Sequence, residues 1–229
     1  MRNGNLVLFV ASALLNFGAV KAGPVPGQGT WETTLQARDL DKDGYADAFY
    51  DISSNLTWLG TGSTSMSWFE GNSWATSDHF GLGGWRLPNT NQPDTTCNVV
   101  FDPGQYGGFG CAGGELAHLF SDVLGNKSSM GPFNTGPFSN IQVSCFMAER
   151  YSPGSDNAWV YCMGFGVQAP LPLDHFSAAS GTYAMAVRSG DVFAVPEPGS
   201  LGMTLAAMGV LAMSRRNRRR VANGSTMLE

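Results

Sequence analysis

Between Asp39 and Asp47 the chain reads Asp39-Leu40-Asp41-Lys42-Asp43-Gly44-Tyr45-Ala46-Asp47, with carboxylates at positions 1, 3, 5 and 9 of a calcium-type loop and glycine at position 6. Alternate carboxylates on a short loop can converge on a hard cation, and glycine at the sixth place permits the sharp turn. The twelfth position is Tyr50 rather than a bidentate glutamate, Asp51 falls one place late, and no clear helix precedes the loop. Two readings therefore stand for Asp39, Asp41, Asp43 and Asp47: a calcium site, or a solvated acidic turn.

A second group centres on Arg86, which stands between Trp85 and Leu87 just before Pro88. A half-buried guanidinium needs a carboxylate partner, because an unpaired charge away from water is costly. Glu115 or Glu149 can supply it, which makes Arg86, Glu115 and Glu149 candidates for a structural brace; the competing role for Arg86 is to read a ligand. Trp74, Trp85, Tyr106 and Trp159 are candidate ligand contacts that could stack on a sugar, set against the ordinary use of large aromatics as core. His79, His118 and His175 lie far apart and form no metal-histidine motif. His118 can pair with Glu115, three residues earlier, if both lie on a helix. No Gly-x-Ser-x-Gly elbow occurs. Catalysis would need acids such as Glu115, Glu149, Asp156 and Asp174 to be paired by the fold, and the expectation is a noncatalytic protein.

The segment 23–194 holds 16 Asp or Glu and 6 Lys or Arg, a net charge near −10, against −5 for the whole chain. Such acidity disfavours nucleic acid as a partner and leaves neutral glycans, divalent cations and basic partners open. All four cysteines fall in this segment. An even count in an exported chain suggests two disulfides, the alternative being free thiols. Of three pairings, Cys97–Cys111 and Cys145–Cys162 are favoured. The first closes a Pro/Gly-rich insertion from Asn89 to Gly114, and the second ties two successive strands. The cysteine spacings of 14, 34 and 17 match no standard zinc knuckle.

The elements that must position these residues are short. Strand-like runs are expected at Thr30–Leu40, Ala48–Tyr50, Asn55–Leu59, Ile141–Met147, Ala158–Phe165, Tyr183–Val187 and Asp191–Ala194. A helix is expected from Trp68 to Phe80, weakened by Gly71. A second is expected from Glu115 to Leu124, where Leu116, Leu119, Phe120 and Val123 recur on one face and Gly125 is the stop. Thirty glycines and twelve prolines favour a loop-rich α+β domain over a doubly wound sheet.

Both ends carry address-like segments. Arg2, the apolar stretch Leu6–Leu15 and the small residues of Val20-Lys21-Ala22 read as a secretory signal peptide over residues 1–22. At the other end come Val195, Pro196, Glu197 and Pro198, an apolar run from Leu201 to Met213, and arginines at 215, 216, 218, 219 and 220. Those thirteen residues cover about 20 Å as a helix, short of a hydrocarbon core of about 30 Å. The trailing arginines orient the tail toward the cytoplasm and the domain outward. This order resembles a PEP-CTERM sorting signal over 195–220, with a polar tail at 221–229 that is longer than usual. The resemblance implies recognition by an exosortase-like membrane enzyme, removal of the tail near the prolines, and a mature chain from about Gly23 to Val195. It also implies transient or stable membrane association, then a place at the cell surface or in the extracellular matrix.

The middle of the chain carries a second pattern. The blocks Asn55-Leu56-Thr57-Trp58-Leu59, Trp68 with Trp74-Ala75, Gly84-Trp85-Arg86-Leu87-Pro88, Gly114-Glu115-Leu116, Asn157-Ala158-Trp159 and Ala186-Val187-Arg188-Ser189-Gly190-Asp191 resemble a DUF1566 domain, also called the Lcl C-terminal domain. The resemblance covers roughly Thr30 to Val192 and implies a C-type-lectin-like fold in the region 23–194. This chain has Ser144-Cys145-Phe146-Met147-Ala148-Glu149 where relatives commonly carry Tyr-Trp-Ser-rich sequence, and Met185 where many have Trp. The resemblance implies an exported or surface role; the expectation for this chain is noncatalytic binding of exopolysaccharide or another envelope component, with calcium as the candidate ion. A glycan-modifying enzyme or a purely structural surface protein is the alternative.

Overall fold

Short apolar runs, many of them ended by Gly, Pro or Asp, build strands of three to six residues. The computed structural model describes residues 23–127 and 133–193. The signal-peptide segment 1–22 and everything from residue 194 onward lie outside the described residues.

The chain opens with a helical turn, α1 (Trp31–Thr34), and then strand β1 (Leu35–Arg38). The expected strand from Thr30 is thus half helical. The Thr30 carbonyl collects the backbone N–H groups of Thr33 and Thr34 and both of their hydroxyls, and this local alternative outcompetes extension. Strands β2 (Ala48–Asp51) and β3 (Leu56–Leu59) follow, then helix α2 (Trp68–Thr76), started by a capping box between Ser67 and Glu70. The helix stops four residues short of Phe80. Ser77 and His79 bond back to the Trp74 carbonyl, and Phe80 takes a left-handed φ of 55°.

The Asn89–Gly114 insertion contains a hairpin, β4 (Val99–Asp102) and β5 (Gln105–Phe109), that the sequence reading misses. The signal was present: Asp102-Pro103-Gly104 puts proline and glycine where a tight turn wants them, and Gly104 adopts φ 81°. The second predicted helix exists as α3 (Glu115–His118), running directly into a π-helical turn at Leu119–Val123. Gly125 ends it at φ 63°, where a Cβ would strike the Gly29 backbone.

The last five strands are β6 (Cys145–Arg150), β7 (Asn157–Cys162), β8 (Val167–Pro172), β9 (Thr182–Ala184) and β10 (Val187–Ser189). The strand expected from Ile141 starts at Cys145, after the Ser144 N–H turns back to the Gln142 carbonyl. β8 is not among the expected strands, and it carries Pro170 and Pro172. The strand tolerates them because β5 pairs only with Val167 and Gln168, leaving the outer edge of its second half unpaired. The single strand expected at Tyr183–Val187 divides between two sheets, and Asp191–Phe193 is not a strand.

One sheet has the order β1-β2-β3-β10, wholly antiparallel; the other runs β4-β5-β8-β7-β6-β9, with only β6 and β9 parallel. The domain is therefore α+β and loop-rich, with few short helices and mainly antiparallel sheets, as the composition predicts. Phe49, Trp58, Phe120, Phe146 and Trp159 join one core cluster, and Leu59, Trp68, Trp85, Met147 and Val160 another. A fully buried side chain such as Phe146 contributes about 2–3 kcal/mol. Both expected disulfides form: Cys97–Cys111 closes the base of the hairpin, and Cys145–Cys162 joins directly opposed residues of β6 and β7.

Candidate functional site

Arg86 sits on a short bridge to Val187, its N–H and carbonyl both paired there. This backbone register aims its guanidinium at Glu115, the first residue of α3. Nη1 and Nη2 each donate to a Glu115 carboxylate oxygen at 2.7 Å. Glu115 Oε2 also accepts the Asn89 N–H at 2.8 Å. The Glu115 bond outweighs burial and holds Arg86 firmly charged. Glu149 makes no direct bond to Arg86. Its Oε1 accepts the Thr90 N–H and hydroxyl, and its own N–H donates to the Pro88 carbonyl. The two glutamates thus fasten Pro88, Asn89 and Thr90.

That fastened segment forms one wall of an open groove of about 330 Å³. The opposite wall is the end of β6 and the turn beyond it: Glu149, Arg150, Tyr151, Ser152 and Pro153. Gln105 and Trp159 complete the lining. Tyr151 lies against Trp159, ring centroids 5.2 Å apart and tilted by 35°. Its hydroxyl donates to Asp102 Oδ2. Desolvation and that carboxylate push the Tyr151 pKa up to about 12, so it stays a neutral donor. Arg150 stacks over Trp68 and Phe69, 4.8 and 5.5 Å from the ring centroids, and donates to the Ser155 carbonyl. Among the described residues, Gln105 Oε1 is buried without a hydrogen-bond partner. Side-chain amides, one carboxylate, one guanidinium and the Tyr151 ring, backed by the buried Trp159, can together meet a hydroxyl-bearing ligand by hydrogen bonds and shallow stacking.

The structure distributes the four aromatic candidates unevenly. Trp159 reaches the groove, although only 1% exposed. Trp85, 3% exposed, belongs to the core beneath His79 and Arg188. Trp74 is half-buried and edge-on to His79. Tyr106 packs against the larger core cluster, while its backbone holds the Gln92 amide. Tyr151, which also lines the groove, is not among the contacts expected from the sequence; its signal there is an aromatic at the end of a strand, ahead of Ser-Pro-Gly.

The acidic loop lies apart from the groove's lining residues. Asp39, Asp41 and Asp43 bring carboxylate oxygens within 4.8 Å of one another. Each also accepts backbone N–H groups of the loop: Asp39 from Lys42 and Gly44, Asp41 from Asp43, and Asp43 from Tyr45. Asp47 turns inward, its Oδ2 accepting from Leu40 and Asp41. Desolvation, together with the charges of Asp43, Asp47 and Asp39, pushes Asp41 above its ordinary value despite a hydrogen bond from Asp43. Three convergent carboxylates suit a hard divalent cation; the fourth candidate is committed to shaping the turn. A second group, Asp94 with Cys97 and Cys111, offers no thiolate because its cysteines form a disulfide.

Residues 194–220 match the PEP-CTERM protein-sorting motif. The chain is thus an exported protein bearing a signal of the kind that exosortase-like enzymes recognise, and such signals anchor the C-terminus in the membrane. No curated protein and no solved structure matches the chain. No helix among the described residues is long and apolar enough to cross a membrane, and the apolar run 201–213 lies outside them.

Proposed function

We propose that this exported chain is a noncatalytic surface or extracellular-matrix binding protein that recognises exopolysaccharide or another envelope component. The observation that carries this reading is the groove between the 88–92 segment and the 149–153 turn, with its amides, Arg150 and the Tyr151–Trp159 pair. Among the described residues a single carboxylate, Glu149, lines it, which favours binding over paired-acid glycoside chemistry. The net charge near −10 of the 23–194 segment favours a neutral glycan over a polyanion. The DUF1566 and C-type-lectin-like resemblance belongs to the same proposal. It is supported by the meeting of three of its blocks: Arg86 bridges Val187, and the Leu59 N–H donates to the Ala186 carbonyl.

The test is binding of the full-length protein, in detergent, to exopolysaccharide extracted from the producing cells. Saturable binding that Tyr151→Ala and Gln105→Ala each weaken, with an unchanged near-ultraviolet circular dichroism spectrum, is the expected result. Absence of binding by the unaltered protein, or full binding by both variants, overturns the assignment to this groove. For localisation, a chain lacking Val195–Glu229 should lose retention at the envelope; equal retention contradicts an anchoring role for the tail.

A further inference from the structure

On the far side of the Glu115 brace, a cavity of about 290 Å³ is lined in part by Ser53, Ser54, Asn91, Glu115 and His118. His118 stands between two carboxylates there. Its Nδ1 lies 3.0 Å from Asp122 Oδ2, one helical turn on, and its Nε2 lies 3.5 Å from Asp51 Oδ2, at the end of β2. Nε2 is also 3.1 Å from Ser53 Oγ. Taken alone, the serine, histidine and Asp122 contacts have the spacing of a nucleophile and its base. The Asp51 side chain excludes that use. Ser53 Oγ donates to Asp51 Oδ1 at 2.6 Å, so its proton is already placed and its oxygen faces the ring as an acceptor.

We propose that Asp51, His118 and Asp122 form a proton-operated clasp that fastens the turn after β2 to the helical segment Glu115–Val123 and fixes the wall of the cavity between them. Only the imidazolium has a donor on both ring nitrogens, so only the protonated ring serves Asp122 through Nδ1 and the Asp51–Ser53 pair through Nε2 at once. The Asp51 side chain is 0% exposed, whereas that of Asp122 is 59% exposed. When the ring loses its proton, water can replace it at Asp122. At Asp51 only local serine donors remain: the N–H and hydroxyl of Ser53 and the hydroxyl of Ser54.

The electrostatics run in the same direction. The bond to Asp51 raises the His118 pKa, burial opposes it, and Asp122 adds to the rise. Burial alone would raise Asp51, but bonds from His118, Ser53 and Ser54 win and hold it at about 2. The other titratable groups nearby do not compete. Glu115 is committed to Arg86, and Tyr161, packed on Phe120, is pushed up by burial and by Asp122 and stays neutral. Because the folded His118 value lies above the unfolded one, its contribution is complete below about pH 6.5 and is lost as pH rises through the folded value. The Asp51 contribution is present above its unfolded value near 4 and is lost as pH falls through about 2. The clasp is therefore whole in mildly acidic medium and slackens toward alkaline pH.

Carbon-detected histidine NMR of the full-length protein in detergent reads the clasp directly, with His118→Gln assigning the resonance. The His118 midpoint is expected above the ordinary histidine value, lowered by Asp51→Asn and by Asp122→Asn. The Tm of the unaltered protein should fall by a few degrees between pH 6 and pH 9 beyond any fall in His118→Gln. A midpoint at or below about 6.5 overturns the proposal, as do parallel Tm profiles for the two proteins. Should Asp51→Asn fail to fold, Asp122→Asn, which changes a mostly exposed side chain, decides the matter: an unchanged midpoint there removes the second carboxylate and with it the clasp.

Discussion

Arg86 and Glu115 meet through two parallel 2.7 Å hydrogen bonds, and the same carboxylate accepts the Asn89 N–H. One side chain thereby joins the start of α3 to the segment that walls the groove. Glu115 is 9% exposed and Arg86 30%, so removing the arginine strands a largely buried acid. Arg86→Ala is expected to lower unfolding free energy by about 2–3 kcal/mol, less than a fully buried pair would cost. Arg86→Lys should recover only part of this, because an ammonium cannot reproduce the forked geometry. Urea denaturation of the full-length protein measures both; an unchanged midpoint for Arg86→Ala contradicts the brace.

Residues 97–111 and 145–162 are each looped off by a disulfide. In the chain-entropy account a loop of this size stabilises by about 3 kcal/mol. The two bridges should nevertheless differ in what their loss exposes. Cys145–Cys162 staples strands that already share a ladder, whereas among the described residues β4 has β5 as its only neighbouring strand. Replacing Cys97 and Cys111 by serine is expected to raise hydrogen exchange over Val99–Phe109 selectively and to weaken glycan capture at the adjoining groove. Replacing Cys145 and Cys162 should lower Tm while leaving β7 protected by its long pairing with β8. Peptide mapping without reductant checks the pairing itself.

What the sequence disclosed followed from how local each cause is. The helix at Glu115 was legible because Leu116, Leu119, Phe120 and Val123 repeat on one face and Gly125 ends it; the disulfides followed from order along the chain. Arg86 was legible as needing an acid, but the choice of Glu115 over Glu149 depends on the Arg86–Val187 bridge, a contact 101 positions apart. The same limit hid the His118 clasp. Glu115 was the partner expected from helical spacing, yet Arg86 holds Glu115, and His118 turns to Asp122 and to Asp51. In the sequence Asp51 stands out only as an acid one place late for a calcium loop. β8 was invisible because its prolines argue against a strand until the edge they face is known to be free.

For the acidic loop, the convergence of Asp39, Asp41 and Asp43 leads to a calcium prediction. A weak extracellular-type site at millimolar calcium stabilises by about 1 kcal/mol. The Tm of the full-length protein should rise by a few degrees between chelator and millimolar calcium, and Asp41→Asn with Asp43→Asn should abolish the rise. Identical melting with and without calcium would leave the carboxylates with their turn-shaping bonds alone. Asp47→Asn should lower stability in either medium, since Asp47 Oδ2 holds two backbone N–H groups.

Gly71 is the position where helix propensity and packing disagree most openly. Alanine inside a helix is worth about 1 kcal/mol over glycine, so propensity alone makes Gly71→Ala stabilising. A Cβ at this position, however, would lie 2.1 Å from Met147 Sδ and 2.9 Å from Met147 Cε, both in the buried face of β6. The methionine is flexible but fully enclosed, at 0% exposure, so it has nowhere to retreat without displacing its neighbours. Gly71→Ala is therefore expected to destabilise by about 1–3 kcal/mol, the usual cost of overpacking. The double variant with Met147→Ala should cost less than the two single changes added together, because the new methyl group fills space that the shortened side chain vacates. A thermal-unfolding cycle of the four proteins measures that coupling, and strict additivity would show that α2 does not press on β6 at this glycine.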